Sequence, residues 1–481
     1  MPPNAHPVPE AAAAGLPCAK DLSDLLVPAM RVHQKSPFKA VMGSPTLEMI
    51  NMAGGVPHPA TFPLLQVQAR VRTPACGSGD ADAVVTLDKT QRSGAVESLD
   101  ELLQYGDGCG VASYCEFLRR HTQLVHSPRY ADWDIIASCG STDAIGKAVA
   151  LFCAAGDSLA VEQWTFPGAL SSLARAGVTP VAVAVDDEGM VPAALDHACC
   201  TARADGCPLR AVYLVPTGQN PTGATMSLAR RRAIYAVAQE HNLAIIEDDP
   251  YYFLQYAAAS PRSSPAGSSA GYDSGCDAAG EEPMAPLLPS LLSLDTDGRV
   301  IRLDSFSKIL APNLRCGWIT APTYLLDRLQ ILNETTVLQP SGLSQGIVSK
   351  LLNDVWGIDG WDAHLRDLRA EYAMRRDLFV RIAGKHLDGL AEFTVPTAGM
   401  FVWLRIAALD AADPTAMQRV LGGMKKAGVM MAPEMPFSST GSAPGSLGGG
   451  HYLRAAFALV DTDMFEPALQ RLAQAIVAAQ L

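Results

Sequence analysis

Through the middle of the chain, short apolar runs of strand length alternate with amphipathic runs of helical spacing. "DIIASCGS" closes on a small-residue turn, and "TDAIGKAVALFCAAGD" then carries apolar residues at helical spacing to a Gly-Asp stop. "DSLAVEQW", "TPVAVAVD", "LRAVYLVPTGQNPTG", "LAIIEDDPYY" and "RVIRLDSFSK" read as further strands. Helices are predicted over "FPGALSSLARAG" and "SLARRRAIYAVAQEHN", the second with Ser227 as its N-cap. This alternation predicts an α/β fold with a mainly parallel sheet between helices. Ligands of such sheets sit beyond the carboxyl ends of the strands. The polar clusters GST, GQNPTG, EDDPYY and DSFSK all fall at those ends.

After about Ser344 the texture changes. A long helical run, "GWDAHLRDLRAEYAMRRDLFVRIAGKHL", precedes two strand-like segments, "FTVPTAGMFVWLRI" and "YLRAAFAL", and a closing helix. That pattern predicts a second, smaller α+β domain. The expected division is a disordered leader over 1–30, an arm over 31–55, a large domain over 56–345 and a small domain over 346–481. Within the large domain, 71–95 reads as a polar loop. The Ser/Gly/Ala/Pro-rich 257–286 reads as a disordered insertion, and 438–450 as a flexible loop.

Composition narrows the function classes. Hydrophobic residues make up 48% of the 481 and charged residues 18%, enough to bury a large core. The net charge of −12 comes without a basic face or tail, so a nucleic-acid partner is not expected. The 11 cysteines form no CxxC pair, which argues against a disulfide framework or a metal site and for a reducing compartment. The N-terminal segment carries Glu10, Asp21 and Asp24 and lacks a basic n-region, and no apolar run reaches membrane-spanning length. A cytoplasmic location without membrane contact is the expectation.

The strand-end clusters then take on chemistry. Gly140, Ser141 and Thr142 open a helix, where free N–H groups suit a phosphate or merely cap the helix. Gln219–Gly223 is a plain turn or a turn presenting an amide, with Asn220–Pro221 a candidate cis bond. Glu247, Asp248 and Asp249 end an apolar strand; at least one of Glu247 and Asp249 should lie on the solvated lip of the sheet, because three adjacent carboxylates are costly to bury. Lys308 is an amine able to form an imine if its pKa is lowered. Ser305, Ser307 and Arg315 could bind an anion. Arg454, inside a short apolar strand, needs a carboxylate, from a structural salt bridge or from a ligand. Together these groups are the set that a pyridoxal phosphate site requires.

Eight segments in order carry a resemblance: "MINMAGGVPHPATFP", "LQYGDGCGVASYCEFL", "VEQWTFPGAL", "GQNPTG", "IIEDDPYYFLQY", "DSFSKILAPNLRCGW", "PTAGMFVWL" and "YLRAAF". The chain resembles the fold-type I, pyridoxal-phosphate-dependent aminotransferases of class I/II, near fungal aromatic and kynurenine/2-aminoadipate aminotransferases. The resemblance implies a seven-stranded, mainly parallel sheet in the large domain. It makes Lys308 the imine-forming lysine and proton carrier, Asp248 the partner of the ring nitrogen, and Tyr251 and Asn220 ligands of the ring hydroxyl. Phe166 takes the stacking position, where tyrosine is usual. Ser141, Thr142, Ser305, Ser307 and Arg315 become the phosphate cup. Tyr105 is implied to reach the neighbouring subunit's phosphate in a homodimer with shared sites. Arg454 grips the substrate α-carboxylate, and Gly55 belongs to the substrate site with Asn220. Relatives often carry an arginine where this chain has His33, between Arg31 and Lys35, which favours an aromatic donor over 2-aminoadipate. The implied reaction moves an amino group from tryptophan, phenylalanine or tyrosine to a 2-oxo acid such as 2-oxoglutarate. A C–S lyase or decarboxylase of the same fold uses the same lysine and aspartate, and a regulatory relative would need a DNA-binding module in front.

Overall fold

A computed structural model of the chain describes residues 15–34, 55–73, 82–256, 286–410, 413, 415–441 and 451–480. All but the last residue of the 257–286 insertion, most of the 31–55 arm and most of the 438–450 loop lie outside the described residues. Strands β1 (Gln66–Val71) and β2 (Ala83–Asp88) pair antiparallel. The section expected as a loop over 71–95 is therefore partly strand: Val85 and Leu87 point inward and bury an alternating apolar face that its polar neighbours obscured.

Strands β3 (Trp133–Ser138), β4 (Ser158–Glu162) and β5 (Thr179–Val183) enter the main sheet; β6 (Val185–Asp186) and β7 (Gly189–Met190) form a small ribbon beside it. Strands β8 (Ala211–Leu214), β9 (Ala244–Asp248), β10 (Val300–Ser305) and β11 (Gly317–Pro322) complete seven strands in the order β3-β11-β10-β9-β8-β4-β5. β10, β9, β8, β4 and β5 are parallel, and β11 runs antiparallel to both its neighbours.

Strand periodicity divides the interior in two. Ala211, Tyr213, Ala244, Ile246 and Ile301 join one apolar core, whereas Val212, Leu214, Ile245 and Val300, one residue out of phase, join the other. Helices cover both faces. Ser227 caps Leu228–Glu240 by accepting from the Arg230 N–H, as its sequence position predicts, and prolines open Pro167–Ala176 and Pro192–Ala204. Beyond the long helix Gly357–His386, β12 (Phe401–Arg405), β13 (Ala432–Pro433) and β14 (Tyr452–Ala456) make a three-stranded antiparallel sheet in the order β12-β14-β13.

The expected disordered leader needs correction over its second half. Leu22, Leu25, Leu26 and Val27 are buried, Ser23–Leu25 and Pro28–Val32 are helical turns, and the Val27 N–H donates to Leu151 O at 2.9 Å. The leucine cluster has enough apolar area to dock once a core is present. Among the described residues no helix is long and apolar enough to cross a membrane.

Candidate active site

The carboxyl ends of β3, β4, β8, β9 and β10 open onto one cleft of about 450 Å³. Because β11 runs the other way, its start lies at the same edge and brings Arg315 with it. The cleft is lined by Ser141, Thr142, Phe166, Asn220, Asp248, Tyr251, Ser307, Lys308, Arg315 and Arg454. Ser305 sits one layer behind: its Oγ donates to Ser307 Oγ at 2.8 Å and accepts from the Ser307 N–H. Tyr105, 63% exposed, and Gly55 do not line it.

At one end of the cleft, backbone and side chains build an anion cradle. The helix Ser141–Phe152 begins after Gly140, whose φ is 82°. Any side chain there would be strained, and a Cβ would fall 2.4 Å from Arg315 Nη2. The guanidinium occupies that space, donating to Cys139 O and Pro312 O at 2.8 Å and to Ser307 Oγ at 3.3 Å. Hydroxyls, free helix N–H groups and a cation thus meet, the donor set that suits a phosphate.

Asp248 lies further in. Tyr213 donates its O–H to Asp248 Oδ2 at 2.7 Å, and Oδ1 has no partner among the described residues. Burial pushes the carboxyl up to about 7, against the pull of the Tyr213 hydroxyl. A buried carboxylate oxygen with no donor suits a ligand N–H, so this orphaned oxygen and the cradle together fit a phosphorylated pyridine ring. Lys308 is half-buried between these two groups. Burial lowers its pKa first, then the nearby Arg454 and Arg315, while Asp248 opposes them. The shift favours the neutral, nucleophilic amine.

Behind Asp248, the other face of the strand corrects the expectation for its neighbours. Glu247 and Asp249 are both buried, at 0% and 1% exposure. Register explains it: Arg302 on β10 lies opposite Glu247 on β9, and period-2 alternation puts Asp249 and Asp304 on the same face. The fully buried Arg302 reaches Glu247 at 3.2 Å, Asp249 at 3.3 Å and Asp304 at 2.8 Å. Glu247 also accepts the N–H groups of Leu291 and Leu292, and Thr217 donates to Asp249.

The small sheet closes the cleft. A Cβ on Gly218 would lie 2.6 Å from Gly399 Cα, so the "GQNPTG" turn, with its cis Asn220–Pro221 bond, packs backbone against backbone on the "PTAGM" segment. That approach lets Arg454 on β14 donate to Asn220 Oδ1 at 2.7 Å, with its guanidinium over the rings of Phe401 and Phe437 at 4.4 and 4.8 Å. The carboxylate that Arg454 requires is not supplied by the described residues, and its Nε has no partner. Sequence reasoning missed Tyr213, whose signal was a phenol inside an otherwise apolar strand, and Arg302, which register alone exposes.

The family model for class I and II aminotransferases matches residues 81–472. An aromatic amino acid aminotransferase of Schizosaccharomyces pombe is 36% identical over 403 residues, covering 80% of this chain and 82% of that protein. An L-tyrosine:2-oxoglutarate aminotransferase of Tapinella panuoides is 35% identical over 401 residues, covering 80% and 74%. The crystal structure of an aminotransferase from Candida albicans superposes with a TM-score of 0.85 at 33% identity, over 96% of this chain and 99% of that one. With its strand-end cleft and this match across most of its length, the chain belongs to the class I and II aminotransferases.

Proposed function

We propose that the cleft holds pyridoxal 5'-phosphate and that the enzyme moves the amino group of an aromatic amino acid to a 2-oxo acid such as 2-oxoglutarate, as a homodimer with shared sites. The observation that carries this reading is Arg454: a partly buried guanidinium facing the cleft, with no carboxylate partner among the described residues. Amino and 2-oxo acids share the α-carboxylate that would complete it, bound bidentately.

Ser141, Thr142, Ser307 and Arg315 would hold the cofactor's phosphate, Asp248 its ring nitrogen, Asn220 and Tyr251 its hydroxyl, and Phe166 its face. When bound, the cofactor supplies an aldehyde for the amino group and an electron-withdrawing ring. Lys308 Nζ, whose pKa burial lowers, takes the α-proton and later returns it. Arg454 holds the carboxylate end of donor and acceptor alike, so the two substrates use one seat in turn. Met400, Phe401 and Leu459 give the cleft an apolar wall, which suits an aromatic side chain. Arg31 is engaged elsewhere, donating to Leu26 O at 2.9 Å and to Asp24 O. The aromatic and tyrosine:2-oxoglutarate names of the relatives support the same donor and acceptor; kynurenine and 2-aminoadipate are further donors to try. Tyr105, exposed and outside its own chain's cleft, suits a residue serving a second copy.

A donor/acceptor panel on the purified, cofactor-loaded protein tests the reading. An aromatic amino acid should change the near-visible absorbance of the loaded enzyme, and 2-oxoglutarate should restore it. Pyruvate and ammonia released with no 2-oxo acid present would instead mark a lyase.

A further inference from the structure

Glu162 closes β4 with no exposed surface, and none of the roles assigned above uses it. Its Oε2 accepts the Val215 N–H at 3.2 Å and the Gln219 side-chain N–H at 3.0 Å, while Oε1 has no partner among the described residues. Gln219 spends its whole amide on the same corner. Its Nε2 also donates to Trp164 O at 2.6 Å, and its Oε1 accepts the Thr222 N–H and hydroxyl at 2.8 Å. One peptide bond further on stands Asn220, whose Oδ1 receives Arg454 from the other sheet. An unbroken line of contacts thus runs from the end of β4, through the turn, to the guanidinium of β14.

We propose that Glu162 is a positioning residue: through Gln219 it fixes the Asn220 turn and thereby the seat from which Arg454 meets the substrate carboxylate. The inference rests on the reading of Arg454 given above. Burial pushes the Glu162 carboxyl up to about 8, so near neutral pH it is a protonated acid whose carbonyl oxygen accepts both N–H groups. A glutamine presents the same carbonyl oxygen, which makes Glu162→Gln the conservative variant. Glu162→Ala removes the acceptor and leaves two buried donors unmet.

The test measures calorimetric binding of 3-phenylpropanoate, a carboxylate with no amino group to transfer, to the loaded enzyme. Steady-state KM and kcat for donor and acceptor accompany it. Glu162→Ala should weaken the probe by about tenfold and raise KM for both substrates, with kcat changed far less. Glu162→Gln should restore both. Gln219→Ala breaks the next link and should repeat the loss, which keeps the test open if Glu162→Ala does not fold. If Arg454→Ala weakens the probe while Gln219→Ala and every folded Glu162 variant leave it untouched, the positioning role is refuted and the reading of Arg454 stands. If Arg454→Ala itself leaves binding intact, that reading fails and takes this inference with it.

Discussion

The two faces of the strand end at Asp248 handle charge in opposite ways. On one face Arg302 sits with no exposed surface among Glu247, Asp249 and Asp304, and each acid has a cation, a backbone N–H or a hydroxyl within reach. On the other face Lys308 and Arg454 stand in a cleft, and among the described residues neither has a carboxylate partner. Burial penalises charge on either side, most where it is complete. The difference is where the compensation comes from: the chain supplies it behind the sheet and leaves it to be supplied in front. Paired charges therefore mark what holds the strand end in place, and unpaired cations mark what it was built to receive.

Substitutions on the two faces should separate the roles. The largest effect belongs to the cleft: Lys308→Ala should cut turnover by about 10³-fold or more, with the melting temperature unchanged or raised. Stopped-flow assays of both half-reactions would check this, and retained turnover would remove the lysine from the mechanism. Next comes Arg302→Met, which strands three carboxylates and should cost about 3–5 kcal/mol of stability in denaturant titrations. If that variant melted like the wild type while losing activity, the assignment of the two faces would be inverted. Arg454→Ala should raise KM for amino and 2-oxo acids alike, on the order of a hundredfold, without loss of stability. An effect confined to one substrate class would mean that the seat is not shared.

The last test reads a slope and not a single value. Glu162 has its folded pKa raised from 4.5 to about 8, so between those values the folded state holds a proton that the unfolded state has lost. Its contribution is fully present below the lower value and declines as pH rises towards the upper one. Glu162→Gln removes that dependence, so its stability relative to wild type should climb from about pH 5 to pH 8. Parallel stability curves for the two proteins over that range would show that the carboxyl does not titrate there.

The cleft face was more legible in the sequence than the paired face. Lys308, Asn220 and Asp248 sit at strand ends that periodicity alone locates, and the order of their motifs did the rest. The fate of Glu247 and Asp249 was misjudged because burial of an acid depends on its partner. Arg302 is 53 positions from Asp249 and becomes a neighbour only through strand register. The same holds for Gly218 and Gly399, whose close approach joins the two sheets but leaves no local signature beyond a glycine in a turn. β2 and the leucines near the N-terminus were hidden for a different reason. Their apolar faces are short and set in polar or Ala/Pro-rich surroundings, and they are stable only once a core exists to receive them.

The reversed course of β11 has a consequence in time as well as in space. It makes β10 and β11 a single antiparallel hairpin, so Lys308 and Arg315 are brought together by closing a short loop. Arg454 and Asn220 are 234 residues apart and must wait for the longest closure in the site. A refolding chain should therefore protect the amides of Val300–Ser305 and Gly317–Pro322 before those of Tyr452–Ala456, an order that pulse-labelled hydrogen exchange can read directly. The half of the cleft that would grip the cofactor would then exist before the half that would grip the substrate.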